Sequence, residues 1–438
     1  MKHSRFAPRF RHLVTHMAVL STLGLGLGYM VVSSSIAWAQ DDAVAGPLFS
    51  IGLDQRLESS SNAGLSVNPA GRTLQSNTQL SFGLTDETAR NAFALTGSTG
   101  LRIVDRAGTS DTDVSVADPR IALSYARIGA TSRLDIQTGL RINDLTFLRP
   151  LTDFINPDGT LELPTDFADL RGSGTRQALN FDATLSLRED APFGLILAVG
   201  VTDLDYTDVT DPELTDNTRS DVTVTARLDI TEVAQATIGL TYATYEDTDE
   251  TNATLGLASG LTITRPDGAL RFSLGLDETD AGIRTSVGVG RDLDLPNGAL
   301  SFDLGTVRGA DGDVDLTGAL SVTHDFALGR ATASLRQNLA TGSGDTEELQ
   351  TSLSLGFARE LTPLASLDLG LAYVSSQDTG TGDTTDNASL SASLGYALTT
   401  DWTLNIGYRF ESRDEDGVGQ AQNNTVFLGL SRDFDFSL

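Results

Sequence analysis

From Thr351 to Tyr373 the chain reads TSLSLGFARELTPLASLDLGLAY, two strictly alternating runs joined by ARELTPLA. Side chains in an extended strand point alternately to opposite faces, so Leu353, Leu355 and Phe357 share one face while Ser352, Ser354 and Gly356 share the other. After the turn, Leu367, Leu369, Leu371 and Tyr373 oppose Ser366, Asp368, Gly370 and Ala372. The result is a hairpin with one apolar and one polar face. A soluble sandwich would show the same period in one hairpin, but here it runs to the last residue with almost nothing left over. A sheet that closes on itself in a membrane, with lipid on one side and water on the other, satisfies such a pattern.

The first residues follow a different rule. Lys2, Arg5, Arg9 and Arg11 precede an apolar run from Met17 to Val32, and Ala37, Trp38 and Ala39 form a small-x-small site. This is the layout of a secretory signal peptide, so residues 1–39 are expected to be cleaved and residues 40–438 to form the barrel. The chain has no cysteine, which rules out a disulfide framework and a lipid-anchored cysteine.

Charge narrows the function. The formal net charge is −29, and loss of Lys2, Arg5, Arg9 and Arg11 would take it to −33. Nucleic-acid binding needs clustered Lys and Arg, so it is excluded. Catalysis is short of parts: His3, His12 and His16 lie in the leader, leaving His324 as the only imidazole beyond it, and an enzyme is not expected. No cofactor is implied. The acidic run beginning at Asp311 starts like a calcium loop, but Leu316 stands where the glycine is required and Val322 where the bidentate glutamate is required, so no metal site is assigned.

Counting alternating segments predicts an all-β, transmembrane, antiparallel up-and-down barrel of about 20 strands, within 16–22. Tight turns such as RED after Leu187 and LTTD after Tyr396 alternate with longer polar stretches such as DYTDVTDPELTDN, SSQDTGTGDTTDN and ESRDEDGVGQAQNN. Short inner turns and long outer loops are expected of such a barrel, and the parity puts both termini on the periplasmic side. Tyr242, Tyr373 and Tyr408 then fall at the outer interfacial girdle, with Phe357 and Trp402 beside inner turns.

The strand ends IQTGLRI, ATIGLTY, DLGLAY and NIGYRF, the turns ELTPLAS and ALTTDWT, and the closing VFLGLSRDFDFSL resemble a Gram-negative outer-membrane β-barrel of porin-like type. The chain departs from that pattern at its end, Leu438, where such barrels usually close on an aromatic residue. The resemblance implies lipopolysaccharide, outer-membrane lipid and the barrel-assembly machinery as partners, a homo-oligomer as one option, and the outer membrane as the location. It also implies a role for the third outer loop, roughly Thr146 to Thr175, which in classical porins folds inward as a constriction. Asp153, Asp158, Glu162, Asp166 and Asp169 would then face lumen arginines such as Arg102, Arg133, Arg141 and Arg227. The other reading of this loop is a solvated surface segment.

About eight strands are filled by their own side chains, whereas 16 to 18 leave an aqueous channel, so a barrel of this size cannot be dry. Its expected wall is small and polar (Ser50, Asn77, Gln79, Ser273, Ser321, Ser334 and Ser354 among others), with arginines and aspartates near balance and no basic ladder. Passive diffusion of small hydrophilic solutes with a mild cation preference is the expected function. The alternatives are a non-conducting adhesin or scaffold and a polysaccharide export pore.

Overall fold

The structure is a computed structural model. It describes residues 46–437 except 70, 107–111, 148, 165, 168–169, 171, 213, 249, 311 and 342–346. The expected signal peptide, Asp169, Asp311 and Leu438 therefore lie outside the described residues.

In chain order the strands are β1 (Leu48–Ser60), β2 (Thr73–Glu87), β3 (Asn91–Arg106), β4 (Thr112–Ile128), β5 (Ser132–Asp144), β6 (Thr175–Leu187) and β7 (Phe193–Thr207). There follow β8 (Asn217–Thr231), β9 (Ala234–Asp247), β10 (Thr251–Arg265), β11 (Gly268–Thr279), β12 (Gly282–Leu295), β13 (Gly298–Arg308) and β14 (Val314–Phe326). The last are β15 (Gly329–Thr341), β16 (Glu347–Thr362), β17 (Ala365–Asp378), β18 (Thr384–Ala397), β19 (Trp402–Glu415) and β20 (Gly419–Ser437). Each strand pairs antiparallel with the next, and β20 pairs with β1, from Phe49 opposite Phe436 to Ser59 opposite Val426. The sheet is a closed 20-stranded barrel with no free edge, as the alternating segments predict.

The two faces match the sequence register. Leu240, Leu257, Leu274 and Val287 on neighbouring strands are exposed on the outer surface, while Thr241, Gly256, Ser273 and Ser286 share the inward parity. An apolar surface of this extent, wrapped round a closed sheet, belongs against lipid. Tyr242 and Tyr408 lie on this outward face. The hydroxyl of Tyr373 donates to Asp386 at 2.8 Å and that of Tyr408 to Asn424 at 2.7 Å, so each phenol leads from the apolar band into a polar one. Toward the opposite end, the Phe326 ring meets Phe357 at 6.4 Å and His324 at 4.6 Å.

The turns obey their chemistry. At 266–267 and 296–297, Pro-Asp and Pro-Asn precede Gly268 (φ +131°) and Gly298 (φ +150°). A Cβ on Gly298 would lie 1.9 Å from the Thr323 carbonyl oxygen, so glycine is required there.

One expectation is corrected. SSQDTGTGDTTDN and ESRDEDGVGQAQNN are mostly strand rather than loop, because β17 runs to Asp378, β18 starts at Thr384, β19 runs to Glu415 and β20 starts at Gly419. Polar alternation sustains a ladder in water as apolar alternation does in lipid, so hairpins continue past the membrane. Strands here reach 19 residues, whereas about 9–11 cross a bilayer. The long connections are confined to the first half of the chain, at 61–72, 145–174 and 208–216. They share one end of the barrel, and both ends of the described chain lie at the other, among the short turns.

Candidate functional site

The connection from β5 to β6, residues 145–174, crosses the lumen. At its root the Asp144 carboxylate accepts from the Thr146 backbone N–H at 2.9 Å. Leu145, Leu170 and Leu214 form a buried cluster with Phe167, Tyr206 and Val209 packed on it. Pro150 then starts a single 3-10 turn, Leu151–Phe154, and its Leu151 packs against Ala372 and Val374 on the inner face of β17.

A small hairpin follows. Ile155 pairs with Leu161, the Asn156 N–H donates to the Thr160 carbonyl at 2.8 Å, and the Glu162 N–H donates to the Phe154 carbonyl at 3.1 Å. The Asp158 carboxylate closes the tip by accepting from the Thr160 N–H (2.9 Å) and hydroxyl (2.6 Å).

That tip lands on the far wall. The Ser354 hydroxyl on β16 donates to the Gly159 carbonyl, and the Thr323 hydroxyl on β14 approaches the Asp158 carbonyl at 3.5 Å. Gly159 (φ +90°) rests against Thr332 on β15, where a Cβ would come within 2.4 Å of the threonine side chain. β15 and β16 stand ten positions round a 20-strand ring from β5 and β6, so the loop spans the barrel at its full width. Ser301, Ser321, Ser334 and Ser354 form one cross-strand row on β13 to β16, and this small polar shelf is what lets the backbone come so close.

The return limb is clamped by charge. The Asp166 carboxylate, almost fully buried, takes a two-pronged bond from the Arg176 guanidinium at 2.5 and 2.6 Å and a further bond from the Tyr206 hydroxyl. Arg413 on β19 donates to the Leu170 carbonyl at 2.8 Å. A recess of about 380 Å³ opens above, between this limb, residues 64–67, residues 210–212 and the ends of β18 to β20.

The residues predicted for the site are distributed differently from the expected opposition of loop acids and wall arginines. Asp153 lies 3.8 Å from Arg149 of its own loop, Asp158 serves its own turn, and Asp166 meets Arg176 rather than the four arginines named from sequence. Glu162 is in the hairpin and makes no ion pair with those four.

Arg102 is a buried strut: it pairs with Asp118 at 2.6 Å and Asp144 at 3.7 Å beneath the Phe147 ring. Arg133 pairs with Asp135 at 2.8 Å next to the short turn at 129–131. Arg227 donates to the Ala191 carbonyl at 2.9 Å and caps the β6–β7 turn. Both belong to the short-turn end, away from the root of the loop: Arg133 is the second residue of β5 and Arg227 lies near the end of β8.

Only Arg141 joins a cluster, directly opposite Arg120 and within Coulomb range of Arg149. Sequence reading missed Arg120, Arg149, Arg176 and Tyr206. The signal for Arg120 was available, since a tight turn at 129–131 fixes which residues of β4 and β5 face each other.

No family model and no curated protein sequence matches the chain. Among solved structures, it is similar to a mutant form of the ferric enterobactin receptor PfeA from Pseudomonas aeruginosa, with 11% identity, TM-score 0.51, and 89% of this chain and 81% of that chain covered. It also aligns with the siderophore receptor PirA from the same organism (10% identity, TM-score 0.45, 90% and 81% covered) and with its OccK7 (11% identity, TM-score 0.40, 90% and 100% covered). Identities this low speak to fold alone, and the closed lipid-facing sheet carries the same conclusion: the chain has the fold of an outer-membrane β-barrel.

Proposed function

We propose that this barrel is a passive diffusion channel of the outer membrane for small hydrophilic solutes, narrowed by residues 145–174 and with both termini in the periplasm. The observation that carries the reading is the landing of Asp158 and Gly159 on β14 to β16, eight to ten strands round the ring from the loop's root. A surface loop has no reason to cross its own lumen. The serine, threonine and glycine lining offers hydrogen bonds without strong charge, which suits polar solutes of varied shape. The acidic excess lies in the connections and strand extensions of the long-loop end, so a mild cation preference follows from the potential at that mouth. No catalytic role is proposed: His324, stacked edge-on against Phe326, faces the apolar exterior near a short turn.

Conductance of the folded barrel in a planar bilayer tests this reading, with the reversal potential taken across a salt gradient. Stable open steps with a small cation preference are expected, and a folded but silent barrel would overturn it. A second reading, a surface-binding barrel, is favoured by the recess above the loop, where Leu151, Phe167 and Leu170 lie beside Arg149, Glu411 and Arg413. A silent barrel would promote that reading.

A further inference from the structure

Strand β4 contains an irregularity that the barrel does not need for closure. Val114 and Val116 are exposed on the lipid face at even positions, and Ile121 is exposed on that face at an odd one. The change of parity is made by a bulge at Asp118 and Pro119: Ala117 pairs with Gly100 and Arg120 with Ser98, so two residues of β4 stand opposite Thr99 alone. Asp118 adopts φ +41° to make it. Bulges re-aim side chains, and this one turns Arg120 from the lipid face into the lumen.

There Arg120 stands in register with Arg141 of β5. Like charges directly opposite on a sheet repel, and neither guanidinium has an ion pair with any described residue. Arg120 donates to the Ser98 hydroxyl at 2.8 Å, while Arg141, half-buried, makes no hydrogen bond to any described residue. Arg149, from the root of the crossing loop, adds a third positive charge; it donates to the Asp153 carbonyl at 3.1 Å, lies 3.8 Å from the Asp153 carboxylate and stacks over the Phe154 ring. The carboxylates nearby are committed elsewhere: Asp118 to Arg102 at 2.6 Å, and Asp166 to Arg176. The wall beside Arg141 is built of small residues, with Ala122, Gly139 and Ala178 in adjoining inward positions.

We propose that Arg120, Arg141 and Arg149 bind an oxyanion, a carboxylate or phosphate group carried by a solute, on the lumen wall where the loop leaves β5. A planar two-oxygen group meets guanidinium forks in paired bonds and removes the repulsion between them. The site therefore deepens the channel reading, on which its role in transport rests, by naming acidic solutes as one class the pore retains. It acts locally, within the field that favours cations at the mouth.

Calorimetric titration of the refolded barrel in detergent, at constant ionic strength, with inorganic phosphate and separately with succinate, measures binding without requiring conduction. Saturable binding of either probe is expected, weakened at least about tenfold in Arg141→Gln and in Arg120→Gln, as loss of one charged donor implies, and unchanged in Arg133→Gln. Phosphate binding alone would assign the group as phosphate, succinate alone as carboxylate. Absence of binding in the unsubstituted barrel, or affinity in Arg141→Gln and Arg120→Gln as high as in the unsubstituted barrel, would overturn the site. If one of these variants fails to fold, the other decides. A barrel that binds with this arginine dependence yet carries no current would sink the channel reading and leave the site standing.

Discussion

Gly159 shows how one residue can seat a loop on the far wall: its positive φ turns the tip, and its missing Cβ is the space that Thr332 fills. Gly159→Val should lift the tip from the wall while leaving the sheet intact. The expected outcome is new protease cleavage within 145–174 alongside unchanged β-sheet circular dichroism. Asp166 works from the other limb. In Asp166→Ala the buried Arg176 guanidinium loses its partner, at a cost of about 3–5 kcal/mol, felt as local opening of the return limb in hydrogen exchange rather than as unfolding of the barrel. At this scale the sequence was only partly legible. The aspartates of the loop could be named because they are acidic and lie in the right connection. Their partners could not, because Arg176 and Tyr206 approach Asp166 only after β6 and β7 are set side by side.

Strands carry the most legible information. Period-two alternation specifies both the element and its inner face, and a closed ring then assigns neighbours in sequence order, which is why the strand number and the wall serines were readable. Where strands stop was not readable in β17 to β20, since the polar alternation of their outer ends looks like loop until the partner's matching alternation is counted. The bulge in β4 obscures Arg120 when the strand is followed from its start, since one extra residue exchanges the faces, whereas counting back from the tight turn at 129–131 puts it opposite Arg141. Three substitutions test the account at this level. Leu257→Arg puts a charge on the lipid face between Leu240 and Leu276 and should cost about 2–4 kcal/mol if that face lies near the midplane of the bilayer, whereas Ala258→Ser, on the inner face, should leave the unfolding midpoint nearly unchanged. Gly298→Ala should cost about 1–3 kcal/mol by straining a left-handed turn position. Denaturant unfolding in lipid vesicles, followed by tryptophan fluorescence, reads all three.

For the whole molecule, the sheet supplies a wide wet cylinder and the first half of the chain supplies what fills it. The acidic surplus sets the field at one mouth, so cation preference should fade as salt rises from 0.1 to 1 M and the screening length falls from about 10 to about 3 Å. Reversal potentials at matched gradients check this, and a preference independent of salt would point to a binding site in the lumen instead. The central claim is that residues 145–174 form the constriction of an open channel. The most direct measurement is the single-channel conductance of the barrel with residues 154–162 replaced by a short glycine-serine link, compared with the unaltered chain. Conductance that rises clearly in the shortened barrel, from a stable open level in the parent, is the predicted result. Equal conductance in the two would contradict it, because a loop that can be removed without widening the path does not narrow it.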